Sequence, residues 1–105
     1  MKTKQSPPVL NHLYSLRRNR GYLQKHLAAL LGRRVAQRVS AYECGRSLPP
    51  LEIALMLEIA LGAKLSEIYV DLYQELQLRV LTNAGALPAT MRTQLRSRLL
   101  GREST

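Results

Sequence analysis

Phenylalanine and tryptophan are absent from this chain, and cysteine occurs once, at Cys44. A single cysteine excludes an intrachain disulfide, which fits a reducing compartment. β-Branched residues are scarce, with 5 Val and 3 Ile against 21 Leu and 10 Ala. A sheet needs β-branched and aromatic residues, whereas Leu and Ala are among the best helix formers. The composition therefore predicts an all-α fold. No apolar run approaches the roughly 20 residues of a membrane span, and no apolar signal region follows Met1, so the expectation is a cytoplasmic protein with no membrane partner. His12, His26 and Cys44 are the only soft metal ligands, and their spacing fits no zinc pattern. There is no phosphate-cradling glycine loop and no nucleophile–base arrangement. The reading is that the chain is not an enzyme and has no catalytic residues, no metal and no cofactor.

Acid is the other scarcity, and it is local. Residues 1–46 contain ten Lys or Arg and a single carboxylate, Glu43. Residues 47–87 carry a net −3, and residues 88–105 a net +3, within an overall +9 for 105 residues. Segregation of this kind points one half of the molecule at a polyanion and leaves the middle out of the contact.

Proline and glycine punctuate the chain into helices. Residues 1–8 read as a flexible basic arm with Lys2 and Lys4, and Ser6, Pro7 and Pro8 can open a helix. Helix 1 is expected from Pro8 to Arg20, with Val9, Leu13 and Leu16 inward. Helix 2 is expected from Gln24 to Leu31, with Leu23, Leu27, Leu30 and Leu31 as its apolar stripe. Helix 3 is expected from Ala36 to Cys44. The run Leu48–Pro50 breaks the chain before helix 4, Leu51 to Leu61, which is apolar nearly all round and reads as the central buried helix. Helix 5 is expected from Leu65 or Ser66 to Thr82, and a sixth from Pro88 to Leu100 with Met91, Leu95 and Leu99 on one face.

The stretch GRRVAQRVSAYECGR, Gly32 to Arg46, combines these themes. Val35, Val39 and Tyr42 recur at helical spacing, while Arg34, Gln37, Arg38 and Ala41 fall on the opposite face. A solvated basic helix is the bland account. A helix that presents Gln and Arg to an anion is the sharper one.

The order of markers favours the second. LRRNRGYLQKHLAALLG (Leu16 to Gly32) followed by VSAYECGRSLPPLEIALMLEIALGAKLSEIY (Val39 to Tyr69) resembles the helix-turn-helix domain of the phage-repressor (Xre/Cro) family of bacterial and phage regulators. The resemblance spans about residues 10–70. It implies a five-helix repressor-like DNA-binding domain over residues 9–70, with residues 71–105 as a C-terminal helical extension and possible dimerisation element. In that family helix 2 crosses the DNA backbone and helix 3 lies in the major groove.

Carried over residue by residue, the resemblance makes Ala36, Gln37, Arg38, Ser40 and Ala41 base contacts. The chemistry agrees: Gln suits adenine, Arg suits guanine, and Ala can pack on a thymine methyl. It makes Gln24 a phosphate contact at a helix start, joined by Arg33, Arg34, Arg46 and Ser47. It makes Arg17 and Glu43 a structural ion pair. One departure leaves the start of helix 3 open: the chain from Gly21 to Glu43 is one residue longer than the commonest spacing, and the usual Ser or Thr cap is missing. The implied function is sequence-specific double-stranded DNA binding by a transcriptional regulator, a repressor acting as a homodimer. The alternatives are an antitoxin-type autoregulator whose C-terminal helices hold a partner protein, and a basic structured-RNA-binding protein.

Overall fold

The computed structural model describes residues 8–101, with the side chain of Arg33 outside the description. Within that span every regular element is helical, in agreement with an all-α composition. The helices are α1 (Leu13–Asn19), α2 (Gln24–Leu31), α3 (Val39–Glu43), α4 (Leu51–Leu61), α5 (Leu65–Ile68), α6 (Val70–Asn83) and α7 (Ala89–Gly101). Short 3₁₀ segments cover Arg33–Arg38 and Ala84–Ala86. Seven α-helices therefore stand where six were expected.

Helix α1 starts at Leu13, not Pro8. Asn11 Oδ1 accepts the Leu13 N–H at 2.9 Å, and the Val9 N–H donates to the Gly45 carbonyl at 2.9 Å. The Leu13 N–H and the Val9 carbonyl, which a longer helix would pair with each other, are thus both bonded to the Asn11 side chain. The basic arm with Lys2 and Lys4 lies outside the described residues.

The expected fifth helix is broken at Tyr69 (φ −117°, ψ 60°) into α5 and α6. The Ile68 carbonyl accepts the His12 N–H at 2.8 Å, so a distant segment takes the acceptor that Leu72 would need to continue the helix.

Helix α4 has the expected bounds but not the expected burial. Ala54, Leu57 and Leu61 face the core, whereas Leu51 and Ile59 are 71% and 79% exposed. A helix apolar all round normally lies inside; here one face remains open. In α2, Leu27, Ala28 and Leu31 are buried, while Leu23 and Leu30 are exposed. The small Ala28 replaces them because α2 packs on both α4 and the 3₁₀ segment.

The core joins Leu13, Leu27, Leu31, Val39, Tyr42, Leu57, Leu61, Ile68 and Tyr69. Polar contacts tie the helix ends to it. Arg20 Nε donates to the Leu61 carbonyl at 2.7 Å, where a cation also suits the C-terminal end of a helix. The Tyr22 hydroxyl donates to the Ala60 carbonyl at 3.3 Å. Glu58 Oε1 accepts the Leu65 N–H at 3.1 Å, fixing the start of α5.

The chain divides into two compact units, Met1–Tyr73 and Gln74–Thr105. The second contains the rest of α6, the Ala84–Ala86 turn and α7. Among its described residues Ala84 is the only buried apolar one, and Leu76, Leu78, Val80, Leu87, Met91 and Leu100 are all exposed. No helix of the described residues is long and apolar enough to cross a membrane.

Candidate nucleic-acid interface

Three of the first unit's helices meet at one carboxylate. Arg17 of α1 reaches Glu43 of α3 through Nε to Oε2 at 2.5 Å and Nη2 to Oε1 at 3.3 Å. The fork is nearly dry, with the two side chains 7% and 6% exposed. Arg17 Nη1 also donates to the Tyr22 carbonyl at 3.0 Å. Gln24, opening α2, donates Nε2 to Glu43 Oε1 at 3.1 Å. A paired, hydrogen-bonded buried charge is tolerable where an isolated one is not. The consequence is electrostatic: the sole carboxylate of residues 1–46 is consumed internally.

What is left on the surface is cationic and polar. Arg34, Ala36, Gln37, Arg38, Ser40 and Arg46 are exposed, and Ala41 and Ser47 are half-buried. On the opposite side of this segment Val39 and Tyr42 are buried and Val35 is half-buried. The Arg33 side chain lies outside the described residues.

The segment does not form the single helix expected from Ala36 to Cys44. Gly32 adopts φ 108°, ψ 153°, the next six residues wind as a 3₁₀ turn, and α3 proper has five residues, Val39–Glu43. In this tighter winding side chains recur every three residues. Gln37 and Arg38 thus lie on the 3₁₀ turn, and Ser40 and Ala41 on α3.

An open groove of about 540 Å³ runs between α2 and the 3₁₀ turn, lined by Gln24, Lys25, Ala28, Ala29 and Ala36. It brings Ala36 to the side of α2 with Gln24. It also places Lys25, which sequence reasoning passed over, on the same rim. The signal was available, since Lys25 adjoins Gln24 at a helix start in an acid-free stretch. Helix α2 begins without a Ser or Thr cap; instead His26 Nδ1 accepts the Leu23 N–H at 2.9 Å.

The far end of α3 is held by backbone. The Gly45 N–H donates to the Tyr42 carbonyl at 3.1 Å and the Arg46 N–H to the Ala41 carbonyl at 3.0 Å, the paired closure of a helix ending in a left-handed residue. Gly45 is that residue, at φ 77°, and a Cβ there would run into the backbone of Val9. Asn11 Nδ2 also donates to the Tyr42 carbonyl, at 3.1 Å.

Among the described residues no group of three or more His, Cys, Asp or Glu converges as a metal site would require. Cys44 is exposed. The chain matches no family model, no curated protein and no solved structure.

Proposed function

We propose that the protein is a sequence-specific double-stranded DNA-binding regulator of the phage-repressor type, a repressor that reads the major groove with the segment from Ala36 to Cys44. One observation carries this reading. The Arg17–Glu43–Gln24 cluster neutralises the only acid of the basic half and leaves Arg34, Gln37, Arg38, Ser40 and Arg46 exposed together along one segment. Gln37, Arg38 and Ser40 supply the donors and acceptors that base edges require. Arg34, Arg46, Ser47 and Arg33 supply backbone contacts that fix register without carrying sequence information. Gln24 keeps one amide hydrogen for a phosphate after donating the other to Glu43. Ala36 and Ala41 add apolar contact.

A few base pairs read by one such segment specify little, so two copies on two half-sites about one DNA turn apart are the natural arrangement. The Gln74–Thr105 unit leaves Leu76, Leu78, Val80 and Met91 uncovered. These favour a protein partner for that unit: a second copy, or the cognate protein of an antitoxin-type autoregulator.

Selection of duplexes from a random pool tests the proposal. Enrichment of one inverted-repeat motif supports it. Failure to enrich any motif, with structured RNA binding at least as tightly as duplex, would replace it with a shape-reading RNA protein.

A further inference from the structure

We infer that Asn11 is a positioning residue for base reading, setting the pose in which α3 meets DNA; the inference rests on the function proposed above. Helix α3 has five residues and no side-chain cap at its start. A helix this short has no independent stability, so its direction is dictated by what grips it. Besides the core packing of Tyr42, two polar grips act at its last turn. One is the Glu43 carboxylate held by Arg17 and Gln24. That grip acts through a side chain, which can rotate relative to the helix.

The other grip acts on the backbone itself. Asn11 is half-buried, and its Nδ2 donates to the carbonyls of Tyr42 and Val9, each at 3.1 Å. Its Oδ1 simultaneously accepts the Leu13 N–H at 2.9 Å. Three of the four hydrogen bonds an amide can form are therefore made. Beside it the Val9 N–H donates to the Gly45 carbonyl at 2.9 Å. One side chain thus links the start of α1, which is anchored in the core through Leu13, to the carbonyl end of α3. Because carbonyls at a helix end lie nearly along its axis, this link constrains the axis direction and not merely its distance. Gln37, Arg38 and Ser40 depend on that direction to reach base edges.

Asn11→Ser tests the link without a change of charge. It keeps an oxygen for the Leu13 N–H but shortens the arm that reaches the Tyr42 and Val9 carbonyls. Asn11→Ala, also neutral, serves if the Ser variant fails to fold. Leu72→Ala, a partly buried apolar truncation, controls for general loosening. The full-length chain is assayed where circular dichroism shows each variant folded, against the selected duplex and a scrambled one. The expected result is a fall of about tenfold in the ratio of specific to scrambled affinity, the order of one buried hydrogen bond. Scrambled affinity and its salt dependence stay at the wild-type values, and Leu72→Ala leaves the ratio unchanged. A ratio that is unaltered in the Asn11 variants, or affinities that fall in parallel for both duplexes, overturns the inference while leaving the DNA-reading proposal intact. Wild-type protein that shows no preference between the duplexes overturns both.

Discussion

Arg17 Nε sits 2.5 Å from Glu43 Oε2, with both side chains almost fully out of water. The pair bridges 26 positions of sequence and joins the first helix to the third. Removing one partner strands the other charge. Arg17→Ala and Glu43→Ala should each lower the unfolding free energy by roughly 3–5 kcal/mol. The double variant should lose clearly less than the sum, because the second truncation removes a charge already without a partner. Denaturant titration of the four proteins measures the coupling, and additive losses would show that the two residues act independently.

Helix α4 should respond to truncation on one face alone. Leu57 is 1% exposed, so Leu57→Ala should cost roughly 2–5 kcal/mol. Ile59 is 79% exposed, and Ile59→Ala should stay within about 0.5 kcal/mol of wild type. A large loss from Ile59→Ala in a monomeric sample would mean that the outer face is covered after all.

Tyr69 carries a buried hydroxyl with no hydrogen-bond partner among the described residues. Tyr69→Phe should leave stability unchanged or raise it by about 1 kcal/mol, since the lost group satisfies nothing. Burial, and then the nearby Tyr42, push the Tyr69 hydroxyl up to about 12 from 10.0. The folded state therefore holds this proton more tightly than the unfolded one. The associated stability is complete below pH 10 and is lost as pH rises toward 12, amounting to at most about 2–3 kcal/mol. Melting temperatures of wild type should fall more steeply than those of Tyr69→Phe across that window. Identical slopes would contradict the assignment.

Backbone contacts have their own signature. Arg46→Ala and Lys25→Ala should weaken selected and scrambled duplexes alike, and each should flatten the log–log salt dependence by roughly 0.9. Ala36→Leu, at one of the proposed base contacts, should instead change sequence preference, and equal losses on the selected and scrambled duplexes would remove Ala36 from the base-reading residues.

Much of the first unit is written in the sequence where punctuation and periodicity agree. The bounds of α2 and α4 coincide with Gln24, Gly32, Pro50 and Gly62 because these residues start or stop helices locally. The Arg17–Glu43 contact is expected from the resemblance, and Glu43 stands out as the single carboxylate of residues 1–46. The remainder depends on distant partners. The break at Tyr69 follows from His12 taking the Ile68 carbonyl, and the late start of α1 from Asn11 and Gly45. Nothing within either segment announces those bonds. The 3₁₀ winding of Arg33–Arg38 differs from an α-helix by less than local propensity resolves. The open face of α4 is invisible to a pattern that is apolar in every direction.

The central claim is that the exposed segment between Gly32 and Arg46 reads bases, and Gln37 tests it most directly. Gln37 is exposed on the 3₁₀ turn, beside the buried Val39 that anchors the segment. The measurement is the affinity of wild type and Gln37→Ala for the selected duplex and for a scrambled duplex at one salt concentration. A good bidentate contact is worth roughly 1–3 kcal/mol of discrimination. The account predicts that Gln37→Ala loses about that much preference while binding the scrambled duplex as wild type does. Equal losses on both duplexes, or none on either, would contradict it.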